Sequence, residues 1–214
     1  SEHILDNMGL YFNSKFLSCI LTLNEIYKMI LDIEGVVIEF GVRWEQNLSI
    51  FTALRSIYEP YNIKRRIIGF DTFDEFATSV VEYEKSSADK YVDESNYEGV
   101  DPDWLMAQAE LMNLAQKVEL VKGDVVTTAE EYVKKNPGFR ISLLHLDLDT
   151  YLGTKAVLDA FYPLVSRKGV VILDEYGVRG WGESDAVDEF FRTKRVSIQT
   201  VPNAETPTAY VIKD

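Results

Sequence analysis

Residues 36–41 read Val36-Val37-Ile38-Glu39-Phe40-Gly41, a short apolar run broken by one acid and closed by a glycine. Three β-branched residues and a phenylalanine suit a strand covered on both faces, and the glycine lets the backbone turn out of it. Upstream, Phe16, Leu17, Ile20, Leu21, Leu23, Ile26, Tyr27, Ile30 and Leu31 recur at helical spacing between Ser14, the expected N-cap, and Ile33. Downstream, Leu48, Phe51, Leu54, Ile57 and Tyr58 predict a second helix that stops at Pro60.

The alternation repeats along the chain. Ile67–Phe70, Val118–Val121, Ile141–Leu146 and Val170–Leu173 read as further buried strands. Helices are expected over Pro102–Gln116, Ala129–Lys134, Thr154–Val165 and Ser184–Arg192. Val196–Val201 and Thr208–Ile212 have no helix between them and predict a closing hairpin. Five strand–helix units ending in a hairpin describe one doubly wound, mostly parallel α/β sheet with its last strand reversed. Residues 1–34 form an N-terminal helical region, and 1–214 a single domain. Residues 73–101 are polar and lack periodicity but carry Tyr83, Tyr91 and Tyr97, which suggests a lid over a site.

At 214 residues and 46% hydrophobic content, the chain has material for a real core. A globule of this mass buries about 70% of its unfolded surface. Lys and Arg total 22 against 35 Asp and Glu, a formal charge of −13. A field of that sign repels phosphate backbones, so nucleic acid is not an expected partner. The densest basic run, Lys64-Arg65-Arg66, stands just before a strand. No apolar stretch approaches 18 residues, so no membrane span is expected. Lone Cys19 reads as an inert core thiol, and the expected compartment is the reducing cytoplasm.

In open parallel sheets, ligands bind at the carboxyl ends of the strands. This chain places acids at each of them: Glu39 before Gly41, then Asp71, Asp124, Asp147 with Asp149, and Asp174 with Glu175. Asp71, ending the second strand, stands where nucleoside-binding sheets hold ribose hydroxyls. After Gly41 come Arg43, Trp44, Glu45 and Gln46 rather than more glycines, so a nucleoside-type cofactor without phosphates fits better than a dinucleotide. Asp147, Asp174 and Glu175 end neighbouring strands. Carboxylates brought that close repel one another, and a hard divalent cation relieves the repulsion. Alternatively Asp174 or Glu175 caps the next turn or pairs with Arg179.

The stretch Leu146-Asp147-Leu148-Asp149 has three chemical meanings. A phosphotransferase nucleophile would need a threonine one residue beyond Thr150. A glycosyltransferase Asp-x-Asp would hold a metal and a sugar-nucleotide diphosphate, yet basic residues for the diphosphate are scarce. The third meaning is metal-assisted methyl transfer.

The segments VVIEFGVR (36–43), GFDTF (69–73), LLHLDLDTYLGTKAVLDAFYP (143–163) and GVVILDEYG (169–177) resemble the macrocin O-methyltransferase family. The resemblance runs from about residue 14 to residue 192. It implies a class I methyltransferase fold with sheet order 3-2-1-4-5-7-6, S-adenosylmethionine and magnesium as cofactors, and a sugar hydroxyl as acceptor. Glu39 and Gly41 would then line the methionine and ribose side of the cofactor. Asp71 would take the ribose hydroxyls, and Asp124 would lie near the adenine. Asp147, Asp174 and Glu175 would hold the metal. Two departures stand out: Glu45-Gln46 replaces a glycine pair, and Glu175 replaces an aspartate. The start looks clipped beside relatives, whose extra N-terminal residues help close the site and form oligomers, so a homo-oligomer is expected.

In the methylation this implies, Asp147 is the expected proton acceptor and Asp149 the alternate. His145, inside its strand, is expected to face a helix or sheet neighbour instead of the site. Arg43, Trp44, Tyr151, Tyr176 and Trp181 lie in loops at the same edge and are the expected sugar-binding side chains, or else simply pack the lid.

Overall fold

The computed structural model describes residues 7–44, 46–76, 79–95, 99–111 and 117–214. Among these residues seven strands form one sheet: β1 (Val36–Phe40), β2 (Ile67–Asp71), β3 (Val118–Lys122), β4 (Ile141–Leu146), β5 (Val165–Leu173), β6 (Ile198–Thr200) and β7 (Ala209–Ile212). Their spatial order is β3-β2-β1-β4-β5-β7-β6. Pairing is parallel from β3 to β5, and β7 runs antiparallel to both β5 and β6. Strand order reverses between β1 and β4, the point where such sheets open a crevice.

Seven α-helices accompany the strands among the described residues: α1 (Ser14–Lys28), α2 (Gln46–Tyr58), α3 (Lys85–Ser95), α4 (Pro102–Leu111), α5 (Val125–Lys135), α6 (Tyr151–Phe161) and α7 (Glu183–Phe191). The side-chain alternation of each strand divides the core in two. Ile38, Phe40, Leu144, Leu146 and Leu173 point to one face and pack against Tyr132 of α5, Phe161 of α6 and Val187 of α7. Val37, Leu143 and Ile172 point to the other, against Tyr27 of α1 and Phe51 of α2. The same parity puts Glu39, His145, Asp147 and Asp174 on the α1/α2 face.

Several boundaries differ from the sequence expectation. Helix α1 is capped by Asn13, whose side chain accepts from Phe16 N, and it ends at Lys28, short of Ile33. Helix α5 begins four residues early because Asp124 caps it, accepting from Val126 N. Strand β5 starts at Val165, in register with Ile141, so Val165, read as the last residue of a helix, belongs to the sheet. Residues 112–116, the expected end of α4, and Tyr97 lie outside the described residues. The polar segment 73–101 contains a helix, α3, with Ala88 buried. The basic run is structural: Arg65 is buried against Glu59, and Arg66 pairs with Glu119 at 3.0 Å.

Candidate active site

The hydrogen-bond ladder continues one residue beyond the strands and sets the site residues at one level. Gly41 N donates to Phe70 O, Asp147 N to Phe40 O, and Asp174 N to Leu146 O, all within 3.0 Å. Gly41 has φ +90, and a Cβ there would run into the backbone carbonyl of Asp147. Only glycine lets β1 turn this close to β4. Beyond it, Val42 N and Arg43 N donate to Asp71 Oδ2 at 2.8 and 2.9 Å, while Asp71 Oδ1 accepts from Phe73 N at 2.8 Å. The acid at the end of β2 therefore shapes the loop that follows β1.

Beside this loop lies a cavity of about 360 Å³, within the size range of small-molecule sites. Gly41, Asp71, Asp147 and Asp149 line it, as do Arg43 and Trp44. Phe70, Val125 and Leu148 supply apolar wall, so the space suits a flat heterocycle with polar groups at one end. Of the expected cofactor residues, Gly41 and Asp71 line the cavity, and Glu39 and Asp124 do not. Asp124 accepts from Ser79 Oγ at 2.6 Å while capping α5. Gln46 lines the cavity, whereas Glu45 lies outside the described residues. Cys19 also lines it, which corrects the core-thiol expectation, although burial and nearby acids push its thiol up to about 11 and keep it unreactive.

Carboxylates gather at the β4 and β5 ends. Burial, then the charge of Asp174, holds Asp147 well above the usual carboxylate range. Burial, with Glu175 and Asp174, pushes Asp149 up to about 8. Glu175 is raised by burial and Asp174, and Glu183 is raised strongly by burial and Asp149. His145 stands among them, 3.4 Å from Glu39 Oε1 through Nδ1 and 3.2 Å from Asp174 Oδ1 through Nε2. Burial works to lower its basicity, but its bonds to Asp174 and Glu39 outweigh that and raise it. It faces sheet neighbours, but these are the acids of the site, so the expectation that it would face away from the site does not hold.

The arrangement fits a divalent cation, since acids outnumber cationic groups in a space shielded from water. Among the described residues, donor atoms of His145, Asp147 and Asp174 all lie within 4.8 Å of one another. Glu175 falls outside this group, and its backbone N donates to Glu183 Oε1 at 3.2 Å. No ion pair joins Arg179 to Asp174 or Glu175 among the described residues.

Segment 79–95 covers this edge. Tyr91, Phe76 and Trp181 form an aromatic cluster with centroids 5.5–6.0 Å apart, and Arg43 Nη1 donates to Tyr91 Oη at 2.6 Å. Buried Glu84 accepts from Tyr151 N at 2.7 Å and Val81 N at 2.9 Å. Trp181 thus packs against the cover. Tyr151 and Tyr176 direct their hydroxyls away to Glu189 and Asp188 of α7. Sequence reading gave no weight to Glu84 and Glu183, because single acids in polar stretches carry no pattern.

The chain matches the family model for macrocin-O-methyltransferase (TylF) over residues 20–206. It belongs to that family. Two crystal structures of CalS11 resemble this macrocin O-methyltransferase family member over 99% of its length. One, described as a calicheamicin methyltransferase, is 31% identical with a TM-score of 0.80 over 84% of that chain. The other, an apo structure described as a TDP-rhamnose 3'-O-methyltransferase of calicheamicin biosynthesis, is 32% identical with a TM-score of 0.76 over 86% of its chain. The O-methyltransferase NovP, at 17% identity and TM-score 0.77 over 92% of this chain and 79% of its own, shares the fold. No curated protein sequence matches the chain. The sheet order and these likenesses define a class I methyltransferase fold. Family membership sets the chain among O-methyltransferases, not glycosyltransferases. No helix among the described residues is long and apolar enough to cross a membrane.

Proposed function

We propose that the chain transfers a methyl group from S-adenosylmethionine to a sugar hydroxyl with the help of a divalent cation such as magnesium. The observation that carries this reading is the convergence of Asp147 and Asp174, with donor atoms within 4.8 Å, beside a cavity that Asp147 and Asp149 line. The sugar assignment draws support from the likeness to CalS11, a TDP-rhamnose 3'-O-methyltransferase.

Gly41 and Asp71 shape the cofactor's berth, the glycine by admitting the close turn and the acid by fixing the loop. Glu39 acts on it through His145 and Asp124 by capping the helix after β3. Asp147 and Asp174 would hold the cation, with Glu175 next along the chain. A bound divalent cation orients a hydroxyl and makes it more acidic. Asp149 lines the same cavity outside the cation group, so it is the carboxylate placed to accept the hydroxyl's proton; Asp147, the first choice from sequence, is committed to the cation. Trp44, about half exposed, offers a face for the sugar, and Arg43 a charge for a substituent. Residues 73–101 act as the lid, and Phe76 and Tyr91 within them, packed against Trp181, keep water from a displacement that depends on positioning. Chain 1–214 works as one catalytic unit that self-associates.

The test is transfer of labelled methyl to nucleotide-linked sugars, with and without chelator. Methylated sugar formed only when cation is present supports the proposal. Transfer undiminished by chelator removes the cation from it. Thermal stabilisation by UDP or dTDP but not by S-adenosylhomocysteine would remove the cofactor.

A further inference from the structure

We infer that His145 is a positioning residue: in ion-pair contact with Glu39 on one side, it hydrogen-bonds one carboxylate oxygen of Asp174 on the other and so sets the oxygen that Asp174 presents to the cation. This rests on the proposed cation site at Asp147 and Asp174.

The geometry runs straight across the sheet. Glu39 on β1 is in register with His145 on β4, which is in register with Ile172 on β5, two residues before Asp174. All three ionisable groups project to the α1/α2 face, and the imidazole spans the gap between the two carboxylates. Phe51 of α2 meets the ring edge-on at 5.9 Å and 87°, which restricts its tilt. The main chain of Asp174 is fixed through its N to Leu146 O and through its carbonyl, which accepts from Thr208 N. Its carboxylate has freer rotation. Among the described residues, His145 Nε2 is the side-chain group hydrogen-bonded to it, at Oδ1.

Packing does not explain the row. His145 and Glu39 are essentially inaccessible to water, and apolar residues of similar volume are generally as stabilising as a buried charged set or more so. Holding a metal-binding carboxylate in one rotamer does explain it, because partners behind a ligand commonly change metal affinity by about 10–100-fold. Glu39 stands two residues before Gly41, so the row also ties the cation end of the site to the cofactor end.

The experiment uses the full chain and Mn²⁺ as probe, with free Mn²⁺ followed by electron paramagnetic resonance. His145→Leu should raise the Kd for Mn²⁺ by about 10–100-fold, and His145→Gln, which keeps a donor at similar reach, should recover part of the loss. Glu39→Gln should weaken binding in the same direction. It also carries the test should His145→Leu fail to give a native circular dichroism spectrum. Wild-type affinity in the folded His145→Leu or Glu39→Gln protein overturns the inference while leaving the cation site standing. A wild-type chain that does not bind Mn²⁺ overturns both. Directly bound nitrogen in the echo-modulation spectrum would make His145 a ligand and overturn the positioning role. That spectrum is recorded in a His3→Ala background, where His145 is the sole remaining histidine.

Discussion

The backbone carbonyl of Asp147 occupies the place that a side chain on Gly41 would need. Two structural demands meet there: φ +90 at Gly41, and contact between β1 and β4 where both leave the sheet. Gly41→Ala therefore has no cheap escape, since the obstacle is main chain in the middle of a parallel sheet. The strained φ alone costs about 1–3 kcal/mol, and separating the strand ends adds to it. The melting temperature should fall by roughly 5–15 °C, and S-adenosylhomocysteine should no longer raise it. A Gly41→Ala protein with wild-type melting and a wild-type ligand response would contradict the close turn.

Burial and the neighbouring charge of Asp174 oppose ionisation of Asp147, so removing the Asp147 carboxylate relieves that repulsion. Asp147→Asn should leave the fold intact and raise the melting temperature of chelator-treated protein by a few degrees. At the same time it should abolish both methyl transfer and the stabilisation that added magnesium gives the wild type. Differential scanning fluorimetry with and without magnesium reads both signs in one plate. Lowered stability in chelator would mean that Asp147 is already compensated by partners within the protein.

Much of this site is legible in the amino-acid sequence alone. The strand ends announce themselves because an acid directly after a continuous apolar run has no packing reason to be there, as with Asp147 after Leu146 and Asp174 after Leu173. The sheet order follows from the resemblance and agrees with the alternation of strands and helices. What escapes is long-range pairing. Nothing near His145 in sequence says that Glu39 and Asp174 flank it, because strand register across a parallel sheet is set by helices and loops tens of residues long. Glu84 escapes for the same reason, being 67 residues from the amide it holds. Helix boundaries shift where a side-chain cap competes with periodicity, as Asn13 and Asp124 do.

Glu84 caps α6 from outside the helix. Thr150, at the N-cap position, makes no side-chain bond to the helix, and the free amide of Tyr151 is taken by the buried Glu84 carboxylate. Its second oxygen holds Val81 N, so one side chain joins the cover of the site to the first turn after β4. Glu84→Ala loses both bonds and should cost about 2–3 kcal/mol, a fall of roughly 4–12 °C in melting temperature. Limited proteolysis should then cut within residues 79–95 faster than in the wild type. An unchanged digestion pattern would show that the segment is held by its aromatic contacts alone.

At the opposite end of the sheet, Glu59 accepts from Tyr27 Oη at 2.7 Å, Arg65 Nε at 2.9 Å and Asn62 Nδ2 at 2.8 Å. Arg65 in turn reaches the carbonyls of Ile30 and Ile33 and the hydroxyl of Ser142, tying the segment between α1 and β1 to β4. Burial opposes ionisation of Glu59, but the bonds from Arg65, Tyr27 and Asn62 outweigh it and hold the carboxyl below its ordinary 4.5. A depressed folded value means that the unfolded chain takes up the proton first as pH falls. The stability Glu59 contributes is therefore complete above about pH 4.5 and is lost as pH drops through the lower folded value. Glu59→Gln strands the Arg65 charge and should cost about 3–5 kcal/mol at pH 7. Because the variant has no proton to gain there, the gap between it and wild type should narrow steadily below pH 4.5. Urea melts at pH 7, 5 and 3.5 measure that gap, and a constant difference across the three would mean that Glu59 does not titrate with unfolding.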